Sequence, residues 1–349
     1  MNPILVDVLR GSTVESTHSG AFAIVDGDGA LVASLGDIQR PIFPRSAIKV
    51  LQALPLVESG AADRLQLTDA ELAIACASHN GEPEHVATAL GMLKKAGLDA
   101  GALECGTQWP GRESVLRGMF SRQEQAGPLH NNCSGKHAGF VCVACQLALA
   151  GGSDPAEFTR GYIRAEHPLM REVGAALAAT TDTDLAKAPV GTDGCSIPTY
   201  GIPLRQLALA FARVATGQGL APERASAARR LRQAVARAPF MVGGTGRFDT
   251  DVMALLGERV FCKVGAEGVY CASLPEQGLG VALKIDDGNA RGAEVAMAAL
   301  IEAFVRLGDA ERQAMTDFSA PVLKNWNGIE VGGLRAGAAL LSLNGSTAQ

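Results

Sequence analysis

The chain has 349 residues, 47% hydrophobic and 19% charged, with Lys+Arg 31 against Asp+Glu 36 for a net charge of −5. That apolar content excludes global disorder, and the lack of any block of like charge argues against a nucleic-acid or anionic-membrane partner. At roughly 150 residues per domain, the length suggests about two folding units. The first forty residues read as strands: Ile4–Val8, Ala21–Asp26 and Ala30–Leu35 are apolar or alternating runs. The last two flank Asp26-Gly27-Asp28-Gly29, a hairpin signal. Arg45 to Leu54 follows with apolar residues at helical spacing and is expected to stop near Gly60.

From Leu67 to about Ala238 the pattern is almost wholly helical. Thr68-Asp69-Ala70-Glu71 is a capping box before Leu72–Ala77. Further helices fit Glu84–Ala96, Ser134–Ala150, Pro155–Ala165, Leu169–Ala179, Leu204–Thr216 and Pro222–Ala236. Strands return at Arg259–Val264, Gly268–Leu274 and Leu279–Ile285, before a last helix over Ala290–Leu307. The expected fold is therefore α+β: residues 1–60 and 240–349 form a sheet lobe, and residues 61–239 form an inserted all-helical lobe. A small-molecule site is expected in the cleft between them. The longest apolar run, Phe140 to Ala150, contains Gln146 and falls short of the roughly 20 residues a membrane crossing needs. The start, Met1-Asn2-Pro3-Ile4-Leu5-Val6-Asp7, has no basic stretch, so the expectation is a cytoplasmic protein whose eight cysteines are reduced.

Ser46-Ala47-Ile48-Lys49 is an S-x-x-K sequence at a helix start, which puts both side chains on one face. A serine hydroxyl needs a neighbouring base to become a nucleophile, and a lysine can serve when it is uncharged. Alone, the pattern reads sooner as a helix cap beside a solvated lysine. Two later features favour chemistry: Ser78-His79-Asn80 where a helix ends, and Lys263-Val264-Gly265 on an expected strand. The ordered set is close to that of serine β-lactamases and penicillin-binding proteins. It predicts attack by Ser46 with Lys49 as base, and proton delivery to the leaving amine by Ser78 held by Lys263. The oxyanion would lie between the Ser46 N–H and one near Ala266.

Most cysteines sit in apolar surroundings and read as packing, including Cys142-Val143-Ala144-Cys145 inside a helix. Cys133 and Cys195 differ, because both lie in polar loops. They could supply two zinc ligands, with His137, Asp193 or Lys136 as a third. Gly244-Thr245-Gly246-Arg247-Phe248-Asp249 is either a glycine turn or a place where Arg247 meets a substrate carboxylate.

Arg45-Ser46-Ala47-Ile48-Lys49, Cys76-Ala77-Ser78-His79-Asn80-Gly81-Glu82, Asn131-Asn132-Cys133-Ser134-Gly135-Lys136-His137 and Asp193-Gly194-Cys195 together resemble the rhizobial-type, or thermolabile, L-asparaginases of the asparaginase II family. The resemblance implies a β-lactamase-like fold, homodimers, and hydrolysis of L-asparagine to L-aspartate and ammonia. It implies tandem Ser46–Lys49 and Ser78–Lys263 pairs, with Arg45, Asn80 and Asp193 at substrate-binding positions. It also implies one zinc ion per chain on Cys133, Lys136 and Cys195, orienting substrate beside the pocket rather than activating the hydrolytic water. The alternatives are a serine-dependent glutaminase, whose substrate is one methylene longer, and a β-lactam-hydrolysing or β-lactam-binding protein.

Overall fold

The apolar runs at the two ends of the chain build one antiparallel sheet. The structure, a computed structural model, describes residues 1–345. Its contacts divide the chain into two units: Met1–Ala47, Ile202–Thr216 and the chain from Cys262 onward, and Ile48–Gly201 with Gly217–Phe261. In the first unit the strands are β1 (Ile4–Arg10), β2 (Thr13–Asp26), β3 (Leu31–Leu35), β4 (Phe261–Gly265), β5 (Val269–Leu274), β6 (Leu279–Ile285), β7 (Val322–Lys324) and β8 (Glu330–Ala336). They run in the order β7-β8-β1-β2-β6-β5-β4, with β3 also paired to β2. Ala282 on β6 stands opposite Ala23 on β2 and Cys271 on β5. The expected hairpin forms as an Asx turn, Asp26 Oδ1 accepting from Asp28 N at 3.0 Å and Ala30 N at 2.9 Å.

Consecutive residues Ala21 to Val25 and Val281 to Leu283 are all buried, so both faces of the sheet centre are covered. Helices Leu204–Thr216 and Ala290–Phe304 pack on it. Gly280 has no Cβ because one would strike the backbone of Ala208, Phe211 and Ala212. Ser273 Oγ donates to Phe211 O at 2.7 Å across the same contact. This close seat corrects the expected boundaries. Leu204–Thr216 belongs with the sheet rather than with the helical insert, and the divisions fall at residues 47 and 261 instead of 60 and 240.

The second unit carries helices Asp69–Ala75, Pro83–Lys95, Glu113–Ser121, Ser134–Ala150, Pro168–Thr181, Pro222–Arg237 and Phe248–Leu256. The capping box is present: Glu71 N donates to Thr68 Oγ1 at 3.3 Å, and Thr68 N to Glu71 Oε2 at 2.7 Å. Ser134 to Cys145 is buried without interruption, as expected of a helix that is apolar on every side. Gly135 and Gly139 allow its close approach to Asp69–Ala75. A Cβ on Gly135 would strike the Ile74 carbonyl, and one on Gly139 would lie 3.3 Å from Ala75 Cβ. That crossing sets the Ser134 helix start beside the Cys76–Asn80 segment.

The middle of the chain is less helical than its periodicity suggests. Val190–Thr192 and Pro198–Tyr200 pair as an antiparallel ribbon, and the expected Pro155–Ala165 helix ends at Phe158 before Gly161 turns with φ 72°. No helix among the described residues is long and apolar enough to cross a membrane.

Candidate active site

In the helical unit, the segment after helix Asp69–Ala75 is zipped on both sides by backbone hydrogen bonds. Ser78 N donates to Val242 O at 2.9 Å, Asn80 N to Gly243 O at 3.0 Å, and His79 N to Asn132 O at 3.2 Å. Lys49, at the start of helix Lys49–Gln52, extends its amine to this segment. Its Nζ donates to Ala77 O, to Ser78 Oγ at 2.9 Å and to Cys133 Sγ at 3.1 Å. Lys49 is wholly buried, and three acceptors around one nitrogen offset the cost of taking it out of water. The sequence paired Lys49 with Ser46 and Ser78 with Lys263; the structure pairs Lys49 with Ser78.

Cys133 caps helix Ser134–Ala150 and is steadied by Asn131 Oδ1, which accepts its N–H at 2.8 Å. One turn on, Lys136 Nζ donates to Cys195 Sγ at 3.0 Å. Cys195 sits in the turn of the Val190–Tyr200 ribbon, where Ser196 takes a positive φ of 76°. A hydrogen bond from Cys195 draws the Cys133 thiol well below its ordinary value; burial opposes this, and the Lys49 and Lys136 charges reinforce it. The same hydrogen bond, together with burial, pushes Cys195 up. Burial pulls Lys136 down, but the two sulfurs and the charge of Asp193 outweigh it and leave its pKa raised.

Two converging sulfurs, one of them already inclined to thiolate, suit a thiophilic cation such as zinc. Among the described residues no three His, Cys, Asp or Glu side chains converge as a metal site. The nitrogen that stands beside the sulfurs is the Lys136 amine. His137 is engaged elsewhere: its Nδ1 is 2.6 Å from Tyr162 OH, and its ring packs on Phe140. Burial and the Lys136 and Lys49 charges hold it neutral, with Nε2 buried and without a protein partner.

The sheet unit holds the other expected residues. Arg45 and Ser46 open the 3-10 turn Arg45–Ile48, Arg45 with a positive φ of 51° and Ser46 half-buried. Lys263 on β4 is fully buried and donates to Val264 O at 2.9 Å. A Cβ on Gly265 would strike Pro44 O and come within 3.2 Å of Ala47 Cβ. The glycine of the Lys263-Val264-Gly265 strand thus lets β4 lie directly against the turn that carries Ser46.

A third cluster was not assigned from the sequence. Buried Glu82 accepts from Thr245 N at 2.8 Å, Thr245 Oγ1 at 2.9 Å, Asn80 Nδ2 at 3.4 Å and Arg112 Nη1 at 2.8 Å. Burial raises its pKa, but these donors prevail and leave it lowered. Asn80, expected to touch substrate, has its amide engaged by the protein: Nδ2 also donates to Thr245 O at 3.1 Å, and Oδ1 accepts from Arg247 Nη1 at 3.1 Å. The signal was present in the glycines of Gly243-Gly244-Thr245-Gly246. A Cβ on Gly244, whose φ is 98°, would lie 2.5 Å from Glu82 Oε1 and 2.9 Å from His85 Cε1. Asp193 lies half-buried in the ribbon turn, its Oδ1 accepting from Gly194 N at 2.7 Å.

The family model described as L-asparaginase II matches residues 6–336. No curated protein matches the chain. Among solved structures, a β-lactamase from Mycobacterium bovis is similar over 85% of this chain and 93% of its own, at 12% identity and a TM-score of 0.36. A protein called Mglu, in its native form, is similar over 83% of this chain and 62% of its own, at 18% identity and a TM-score of 0.37.

Proposed function

The chain belongs to the L-asparaginase II family and is accordingly an amidase-type hydrolase, and from that premise we propose that it converts L-asparagine and water to L-aspartate and ammonia. The observation that carries the chemistry is the buried Lys49 Nζ, 2.9 Å from Ser78 Oγ. A hydroxyl within hydrogen-bond reach of a lysine amine is a route for moving a proton.

In the proposed sequence, Lys49 first sheds the proton of its ammonium form; Ser46 Oγ then adds to the side-chain amide carbon, and its proton passes to the uncharged Lys49 amine, three residues on in the chain. Ser78 donates its proton to the departing nitrogen and is reprotonated from Lys49, so ammonia leaves and an ester on Ser46 remains. Water then adds to that ester, giving its proton to Lys49, which returns it to Ser46 Oγ as the ester C–O bond breaks and L-aspartate departs. The tandem scheme adds Lys263 as the cation that would fix the Ser78 hydroxyl. Cys133, Lys136 and Cys195 would hold a zinc ion, which as a Lewis acid would orient the substrate; the converging sulfurs and amine support this assignment. A homodimer in the cytoplasm completes the proposal, and the burial of all eight cysteines is compatible with a reducing compartment.

Ammonia release from L-asparagine and L-glutamine, measured side by side with a chromogenic cephalosporin as control, tests the substrate. L-Asparagine should be the best of the three, and cephalosporin opening without amide hydrolysis would overturn the assignment. Ser46→Ala should abolish acylation, seen as loss of the acyl adduct in quenched mass spectra. Near-normal turnover in that variant would remove Ser46 as nucleophile.

A further inference from the structure

Two arginines reach the Ser78–Glu82 segment, and they are partnered differently. Arg112 forms an ion pair with Glu82 at 2.8 Å. Arg247 donates through Nη1 alone, to Asn80 Oδ1 at 3.1 Å and Ser78 O at 3.4 Å, both neutral acceptors. Among the described residues no carboxylate lies within ion-pair distance of Arg247, and the residue is only half-buried. Its guanidinium therefore stands against the carbonyl of Ser78 with donors to spare and no counter-charge.

The position is held firmly. The backbone rungs from Ser78 to Val242 and from Asn80 to Gly243 tie its loop to the serine segment. Thr245 is bound to Glu82 through both N and Oγ1, and Gly244 N donates to Thr250 Oγ1 at 3.0 Å. A Cβ on Gly243 would lie 2.8 Å from Arg247 Cβ, so the arginine stem is also packed against the loop backbone. A fixed planar fork of N–H donors matches a carboxylate bidentately, and an amino-acid amide brings one carboxylate to the site.

We propose that Arg247 is the receptor for the α-carboxylate of the substrate, with Asn80 and Glu82 as positioning residues that hold it beside Ser78. This rests on the asparaginase reading above, and the experiment separates the two. Wild type, Arg247→Met and Arg247→Lys are assayed on L-asparagine, with L-aspartate and β-alaninamide as competitors; β-alaninamide is the same amide without the α-carboxylate. In Arg247→Met, kcat/KM for L-asparagine should fall about 10- to 100-fold, mostly through KM, since a charged hydrogen-bonding partner is lost. Inhibition by L-aspartate should weaken by the same factor, while inhibition by β-alaninamide stays at its wild-type value. Arg247→Lys should retain part of the affinity, and it carries the test should the Met variant fail to fold.

An unchanged KM in Arg247→Met overturns the proposal. So does an equal loss of affinity for L-aspartate and β-alaninamide, which would mark a purely structural arginine. If wild type releases no ammonia from L-asparagine, the functional reading fails and the carboxylate assignment falls with it. An active wild type with an indifferent Arg247 defeats only the latter.

Discussion

Helix Ser134–Ala150 meets two sets of buried cysteines whose acidities diverge. Cys142 and Cys145 lie within its apolar length, where burial raises both and takes Cys142 to about 12. Cys133 at its start is just as buried, yet Cys195 and the Lys49 and Lys136 charges draw it well below its ordinary value. Burial by itself raises a thiol; what reverses the sign is a second sulfur and two lysine stems meeting at one point. Nine residues separate a thiol raised by burial from one lowered by its neighbours.

The largest test of that contrast removes a lysine. Lys49→Met should lower kcat/KM for L-asparagine by about 10³-fold or more, through loss of the proton path. In the same variant Cys133 should alkylate more slowly with iodoacetamide at neutral pH, and unchanged rates on both counts would erase the distinction. Next comes the metal. On the zinc proposal, plasma emission should find about one zinc per chain in wild type and near none in Cys133→Ser, and a metal-free wild type would overturn that proposal. Cys142→Ala should leave zinc content at the wild-type level; equal loss in both would mean the two sets share one role.

Smaller effects concern stability. His85 is buried and neutral, accepting Glu82 N at Nδ1 and facing Phe240 O through Nε2 at 3.0 Å. Burial lowers its pKa below its ordinary 6.5, so the unfolded chain takes up a proton there before the native one does. The contribution is present above pH 6.5 and lost progressively as pH falls below it. Lowered Glu82 continues the loss through the carboxylate range. Urea midpoints should therefore fall from pH 7.5 to 5.5, and His85→Gln should flatten that slope. A slope identical in the variant would assign the acid sensitivity to other groups. Smallest, Thr68→Ala should cost about 1 kcal/mol by deleting the capping box, read from the same melts.

The strand runs, the Asp26–Gly29 hairpin, the Thr68 cap and the buried Ser134 helix were legible because each is local in sequence. The site residues were legible as types: a serine and lysine at helical spacing, a serine in a polar loop, cysteines flanked by asparagine and glycine. The partner of Lys49 was not. A flexible four-carbon stem can reach several acceptors, and only the crossing of helices at Gly135 and Gly139 presented Ala77, Ser78 and Cys133 to it. The Glu82 network was hidden for the same reason, because its donors come from residues 80, 112 and 245.

From sequence alone came the α+β class, the absence of an evident membrane-crossing helix, and the three ordered motifs together with the family they resemble. Periodicity, turn chemistry and residue type act over a few neighbours, so they survive without coordinates. Tertiary structure decided where the units divide, which side chains meet at Lys49, and which arginine lacks a counter-charge. Those depend on distances between segments far apart in the chain, where a single ångström changes a hydrogen bond into none.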